Sequence, residues 1–127
     1  MGYVGKALVV DDDITLANTI GDQIGFMGIE PNVRLSAREG LEYWAQDGET
    51  GYVVTDLQMP GMDGLDFIRE LRAQGYEGKA ILISGSIDLR EIVERRVRLQ
   101  PSCKPDAVVE KPFRFGDLQR TLVDVSK

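Results

Sequence analysis

The chain has 127 residues, of which 43% are hydrophobic, 28% charged and 7% aromatic; this suffices for one continuous core, is short for two, and excludes disorder as the default state. Twenty-one acidic against fifteen basic residues give a net charge of -6 and a pI near 4.6, so the mean field disfavours direct binding to nucleic acid or to an anionic membrane surface. One cysteine, Cys103, and no histidine exclude an internal disulfide and argue against both a catalytic thiol and a dedicated zinc site.

The first apolar run, Ala7-Leu8-Val9-Val10, predicts a buried strand ending at Asp11, Asp12 and Asp13. Ile14, Leu16, Ala17, Ile20, Ile24 and Met27 then recur at helical spacing, predicting a helix that Asp13 is placed to cap. A weaker strand, without clean periodicity, is expected around Glu30 to Leu35. Ser36 as N-cap, Ala37, Leu41 and Trp44 on one face and Gly48 near the end predict a second helix.

Tyr52-Val53-Val54 predicts a strand closing on Thr55 and Asp56, and Pro60, Gly61 and Gly64 predict a tight turn into a third helix. That helix carries Leu65, Phe67, Ile68 and Leu71 and is expected to stop near Gly75. Ala80-Ile81-Leu82-Ile83 predicts a strand ending at Ser84, and Ile87, Leu89, Ile92, Val93 and Val97 fit a fourth helix. On it the basic run from Arg90 to Arg98, interrupted by Glu91 and Glu94, reads as a solvated face. Gln100 to Pro105 reads as a linker-like stretch before the strand Ala107-Val108-Val109, which runs into Glu110 and Lys111. Phe115, Leu118, Leu122 and Val123 predict the last helix.

Short apolar strands alternating with amphipathic helices predict an α/β fold over residues 1–127: a doubly wound five-stranded parallel sheet, (βα)5, flavodoxin-like, with strand order 2-1-3-4-5. No apolar run is long enough to cross a bilayer and no leader pattern opens the chain, so a cytoplasmic protein is expected.

In such a sheet, ligands bind beyond the carboxyl ends of the strands. With the first and third strands adjacent, Asp11 and Asp12 approach Asp56, a crowding of negative charge that needs a cation or donor. An all-oxygen set of this kind favours Mg²⁺. Lys111 can pair with the acceptor carboxylate or with phosphoryl oxygens, Ser84 can donate a hydrogen bond to them, and Asp56 becomes a candidate nucleophile.

Four pieces in order carry a resemblance: Leu8-Val9-Val10-Asp11-Asp12-Asp13, Val54-Thr55-Asp56-Leu57-Gln58-Met59-Pro60-Gly61-Met62-Asp63-Gly64, Ile83-Ser84-Gly85, and Glu110-Lys111-Pro112-Phe113. Together they resemble the receiver domain of bacterial response regulators and hybrid sensor kinases over essentially the whole chain. The resemblance implies Asp56 as phosphoacceptor, Asp12 as direct metal ligand with Asp11 as its partner, and Gln58 as donor of a backbone carbonyl to the metal. It further implies Ser84 and Lys111 as contacts of the phosphoryl group, and a cis peptide bond before Pro112.

By the same resemblance the partner is a sensor histidine kinase or a histidine phosphotransfer protein, and a homodimer is one open assembly. The chain is not expected to be a conventional enzyme: Mg²⁺-dependent self-phosphorylation from a donor and slow autodephosphorylation are expected instead. A receiver-fold interaction module with phosphorylation-independent output is the alternative, and a small phosphohydrolase is the weaker one.

Two departures stand out. Val108 occupies the position three before Lys111 that is often Phe or Tyr in such domains, which removes the aromatic switch, and the Leu99 to Pro105 connection is longer than is common. With no output domain expected after the last helix, a stand-alone receiver, a truncated response regulator and a receiver cut from a hybrid kinase all stay open.

Overall fold

The computed structural model describes residues 5–127. Its elements run β1 (Lys6–Val10), α1 (Ile14–Phe26), β2 (Glu30–Arg34), α2 (Ala37–Asp47), β3 (Thr50–Asp56), α3 (Gly64–Ala73), β4 (Lys79–Ser84), α4 (Leu89–Leu99), β5 (Ala107–Glu110) and α5 (Phe115–Val125), with a 3-10 turn at Pro101–Cys103. The strands form one five-stranded sheet in the order β2-β1-β3-β4-β5, every neighbouring pair parallel, as the sequence predicts.

Alternation along the strands builds two cores. Ala7 and Val9 of β1, Val54 of β3 and Ile81 and Ile83 of β4 face Ala17, Ile20, Ile24, Leu118 and Leu122 of α1 and α5. Leu8, Val10 and Val53 turn the other way onto Phe67 and Leu71 of α3, and Ala80 and Leu82 onto Leu65, Ile68 and Leu89. Each Val, Leu, Ile or Phe among them taken fully from water stabilises the fold by about 1.5–3 kcal/mol. Parallel strands buried on both faces therefore read as continuous apolar runs.

Helix ends are set by side chains that satisfy the first free amides. Asp13 accepts from the Leu16 amide at 3.1 Å, Ser36 from Glu39 at 3.1 Å and Asp63 from Asp66 at 2.8 Å. Gly48 stops α2 in the left-handed region at φ 68°, which an L side chain adopts only with strain.

Edge strand β2 is turned so that the Glu30 amide donates to Gly5 and the Arg34 carbonyl accepts from Asp11. The intervening Pro31 therefore has its missing N–H on the free edge, where it removes no ladder bond. Beside it the Arg34 guanidinium donates to the Val33 carbonyl at 2.8 Å.

Three expectations need correction. Ile87, assigned to the apolar stripe of the fourth helix, lies before α4 and is 100% exposed, and Ile14 and Phe115 at the first turns of α1 and α5 are exposed as well. Gln100 to Pro105 is not a linker: its 3-10 turn packs on α3, and Cys103 is fully buried among Leu65, Ile68 and Leu89. The basic run of α4 is not wholly solvated either, since Arg96 is half-buried against α3.

Burial pushes the Cys103 thiol above its ordinary range. A buried, protonated thiol is inert. The native protein is expected to resist a disulfide-exchange reagent over hours and to react with one equivalent on denaturation, followed by absorbance; prompt native reaction would mean that the 3-10 turn opens.

Candidate functional site

Parallel pairing delivers the strand ends to one rim. Val10 pairs with Thr55 and Asp56 with Ile83, so Asp11, Asp56 and Ser84 leave neighbouring strands side by side. Ser84 pairs with Glu110, and the Lys111 amide donates to the Ser84 carbonyl at 2.9 Å, which fixes where the lysine side chain starts. The Lys111–Pro112 peptide bond is cis.

Asp11, Asp56 and Ser84 are buried, Asp12 and Gln58 are exposed, and Lys111 is half-exposed. One carboxylate oxygen from each of Asp11, Asp12 and Asp56 lies within 4.8 Å of the others. Lys111 Nζ donates to Asp56 Oδ1 at 3.1 Å and lies 3.8 Å from Asp11 Oδ2. Asp11 Oδ1 accepts from the Asp13 amide at 2.9 Å, whereas Asp11 Oδ2 is buried with no hydrogen-bond partner. Ser84 Oγ accepts from the Ser86 amide at 3.0 Å. Its hydroxyl proton stays available for an incoming acceptor.

Burial pushes the Asp56 carboxyl above its usual range; the Lys111 hydrogen bond and charge pull it back and Asp12 adds to the rise. Asp11 is likewise raised by burial, lowered by the Asp13 amide and raised again by Asp56. One lysine does not offset three carboxylates.

The donor set fits a hard divalent cation. All its atoms are oxygens, they converge, and Asp11 Oδ2 is a buried acceptor that receives no hydrogen bond among the described residues, Lys111 approaching it only to 3.8 Å. Magnesium suits this set because it takes few carboxylates and keeps waters that bond the rest. Gln58 sits two residues past Asp56 on the β3–α3 loop, at the same rim.

The raised carboxyls carry a pH consequence. Above 3.8 the folded state of each group retains its proton longer than the unfolded state, so folding stability falls as pH rises from there through the raised native value. Asp11→Asn removes one buried charge and keeps an oxygen for the Asp13 amide. In chelator at pH 7 it is expected to raise the thermal midpoint by about 4 °C, corresponding to roughly 1 kcal/mol, and to shrink the further rise on adding Mg²⁺. Calorimetry at pH 5 and 7 checks both; a midpoint lowered in chelator would refute the charge crowding.

The sequence reading missed a neighbouring network. Arg96 of α4 donates to Asp63 Oδ2 at 2.9 Å, to Asp63 Oδ1 at 3.1 Å and to Asp66 Oδ1 at 2.7 Å. Asp63 closing a turn just ahead of an apolar helix, with Asp66 three residues on, was a visible cap pattern, but its partner lies 33 positions away.

Gly64 shows why the turn after Asp56 needs glycine. A Cβ there would overlap the Asp56 carbonyl and lie 2.8 Å from Leu82 Cδ1. The first turn of α3 thus rests directly on the backbone that carries the acid.

Comparison with known proteins agrees with this geometry. The family model of the response regulator receiver domain matches residues 7–123. The chain is 32% identical over 117 residues to the two-component response regulator PhoP of Pseudomonas aeruginosa, covering 92% of this chain and 49% of that protein. It is 30% identical over 118 residues to the transcriptional regulatory protein QseB of Escherichia coli O157:H7, covering 91% and 53%. The chain therefore spans about half the length of these curated relatives.

Among solved structures, a response regulator receiver domain protein from Clostridium thermocellum superposes with a TM-score of 0.82 at 24% identity, covering 95% of this chain and 93% of that one. The receiver domain of the Francisella response regulator 1452 gives 0.78 at 26% identity, with 96% and 97% covered. Among the described residues no helix is long and apolar enough to cross a membrane. With the family match, the sheet order and the three converging carboxylates in agreement, the chain belongs to the response regulator receiver domain family.

Proposed function

We propose that the chain accepts a phosphoryl group onto Asp56 from a phosphohistidine of a sensor histidine kinase or a histidine phosphotransfer protein, and that the loaded pocket switches a signalling surface. The observation that carries this reading is Asp56 itself: a buried carboxylate, held by Lys111 at 3.1 Å, within a cluster of three acids at the sheet rim. The alternative of an interaction module with altered output draws on Val108, too small for an aromatic switch, and is separated from the main reading by whether Asp56 is loaded at all.

Asp11, Asp12, Asp56 and the Gln58 carbonyl are the groups that would hold magnesium. When bound, the ion offsets negative charge on the transferring group and on the acids around it. A carboxylate oxygen of Asp56 forms the new bond to phosphorus as the bond to the imidazole nitrogen breaks, and the imidazole keeps the electron pair and takes a proton. Lys111 is placed to exchange its Asp56 contact for a phosphoryl oxygen, and Ser84 has a free hydroxyl proton for another. Burial of Asp56 and Asp11 strengthens these contacts by excluding water from the carboxylate side.

Hydrolysis of the acyl phosphate reverses the state. The sequence has no histidine to serve as a general base for water, so a slow return is in keeping with the pocket. A cytoplasmic setting without direct nucleic-acid or membrane contact by this domain fits the acidic charge, and a homodimer is tested by sedimentation before and after loading.

The test is intact-mass measurement after incubation with Mg²⁺ and a small acyl phosphate. One added phosphoryl group, labile to base and absent in chelator, is the expected result. A base-stable adduct, or loading that ignores the metal, would overturn the assignment.

A further inference from the structure

The loop from Asp56 to α3 is pinned at both ends. At its start the Leu57 amide donates to Ile83 at 2.9 Å, and the Gly64 amide closes the loop on the Leu57 carbonyl at 2.8 Å. At its exit Asp63 caps α3, and that capping carboxylate is gripped by Arg96 from α4, with Asp66 taking the second guanidinium nitrogen. Although burial raises it, the Arg96 guanidinium and the Asp66 amide hold the Asp63 carboxyl below its usual range. A planar fork on one carboxylate fixes orientation as well as distance.

Beyond that fork, α4 buries one residue fully, Leu89 in its first turn, and packs Ile92, Val93 and Val97 only partly on the core. Its N-cap, Asp88, makes no side-chain cap bond, and Ile87 before it is fully exposed. Arg90 reaches Glu110 only at 3.9 Å, between two exposed side chains. An open cleft of about 460 Å³ is lined by Ile92, by the loop residues Leu57 to Pro60 and by Asp63. On the opposite flank an apolar groove of about 540 Å³ lies between Val93 and Val97 of α4 and Ala107 and Val108 of β5. Space on both sides of a helix anchored by Leu89 at its start and by the packed connection after it, with the Arg96 fork as its polar tie to the acceptor loop, describes an element able to take two positions.

We propose that Arg96 is a positioning residue that couples α4 to the acceptor loop through Asp63, so that the position of α4 and the loading of the Asp56 pocket depend on each other. Val108 leaves no aromatic side chain to carry the signal along β5, and the Arg96 fork supplies a route on the opposite flank of α4. Coupling of this kind is reciprocal: what the pocket does to α4, α4 does to the pocket. The inference rests on Mg²⁺-dependent loading of Asp56 and adds a residue outside the rim.

The experiment compares wild type, Arg96→Gln, Arg96→Lys and Asp63→Asn. Asn keeps the cap on α3 and loses the charge that Arg96 grips, so this variant separates coupling from helix stability. Magnesium affinity is measured by titration calorimetry, and amide exchange across α4 is measured with and without Mg²⁺ plus a small acyl phosphate.

In wild type, loading is expected to change exchange protection in α4. Arg96→Gln and Asp63→Asn are expected to weaken magnesium binding about fivefold and to abolish the change in α4 while intact mass still shows loading at saturating metal. Lysine, reaching one carboxylate oxygen without the fork, is expected to fall between. An unchanged response of α4 in Arg96→Gln and Asp63→Asn overturns the coupling, whether or not magnesium binding weakens, because weaker binding alone is what a merely structural role gives. A wild type that never loads overturns the assignment of Asp56 and this inference with it, and intact mass distinguishes that outcome from the first.

Discussion

Asp56→Asn is expected to fold and to gain no phosphoryl group under conditions that load the wild type fully. The amide fills the same space at the end of β3 and keeps an oxygen for Lys111, but it lacks the anionic oxygen that attacks phosphorus. Removing a buried charge raised by desolvation also relieves the rim, so the variant should be no less stable than wild type in chelator. Intact mass and a denaturation curve on the same sample check the two halves. An adduct that persists would move the acceptor elsewhere. Lys111→Ala, by contrast, retains the nucleophile and loses only charge stabilisation, so its initial rate is expected to fall about a hundredfold rather than to zero.

Among the glycines of the described residues, Gly64→Ala is expected to give the largest loss of stability on adding one methyl group. Its Cβ would overlap the Asp56 carbonyl, a backbone group with no alternative position, and crowd Leu82, itself fully buried. Either α3 backs away from the sheet or β3 bends. Overpacking against backbone costs about 3 kcal/mol or more, read as a drop in the denaturant midpoint. The displaced acceptor should also slow loading at temperatures where the variant is folded, since about 1 Å of misplacement can cost a hundredfold. Gly116→Ala in α5 is the control: nothing lies within 4 Å of its added Cβ, and the lower backbone entropy of alanine should leave the protein unchanged or slightly more stable. Equal effects at the two positions would show that the Gly64 contact is unimportant.

The strands were legible because burial on both faces writes itself as a run such as Ala80-Ile81-Leu82-Ile83, which no local partner can disguise. The rim was legible for a related reason. In a parallel sheet every strand ends on the same side, so Asp11, Asp56, Ser84 and Lys111 could be gathered from sequence positions alone. Asp13 as the cap of α1 and Ser36 as the cap of α2 also followed from local pattern.

What stayed hidden depended on distance across the fold. Arg96 looks like its neighbours Arg95 and Arg98, and only the approach of α4 to α3 singles it out. Gln100 to Pro105 reads as a linker-like stretch because Cys103 within it gives one apolar residue, too few to declare a packed face. Ile87 has the hydrophobicity and spacing of a helix position, but the chain there is still turning out of β4.

The outer edge of β2 bears on how the protein behaves when crowded. A parallel sheet with an open edge invites a stray strand to join it, the first step towards fibrous aggregates. Here Pro31 offers that strand no amide, and the Arg34 side chain already occupies the Val33 carbonyl beside it. At the opposite edge β5 is only four residues long. Neither border is a good template for sheet extension, so the chain can accumulate to high local concentration with its copies meeting through side chains rather than through a shared ladder.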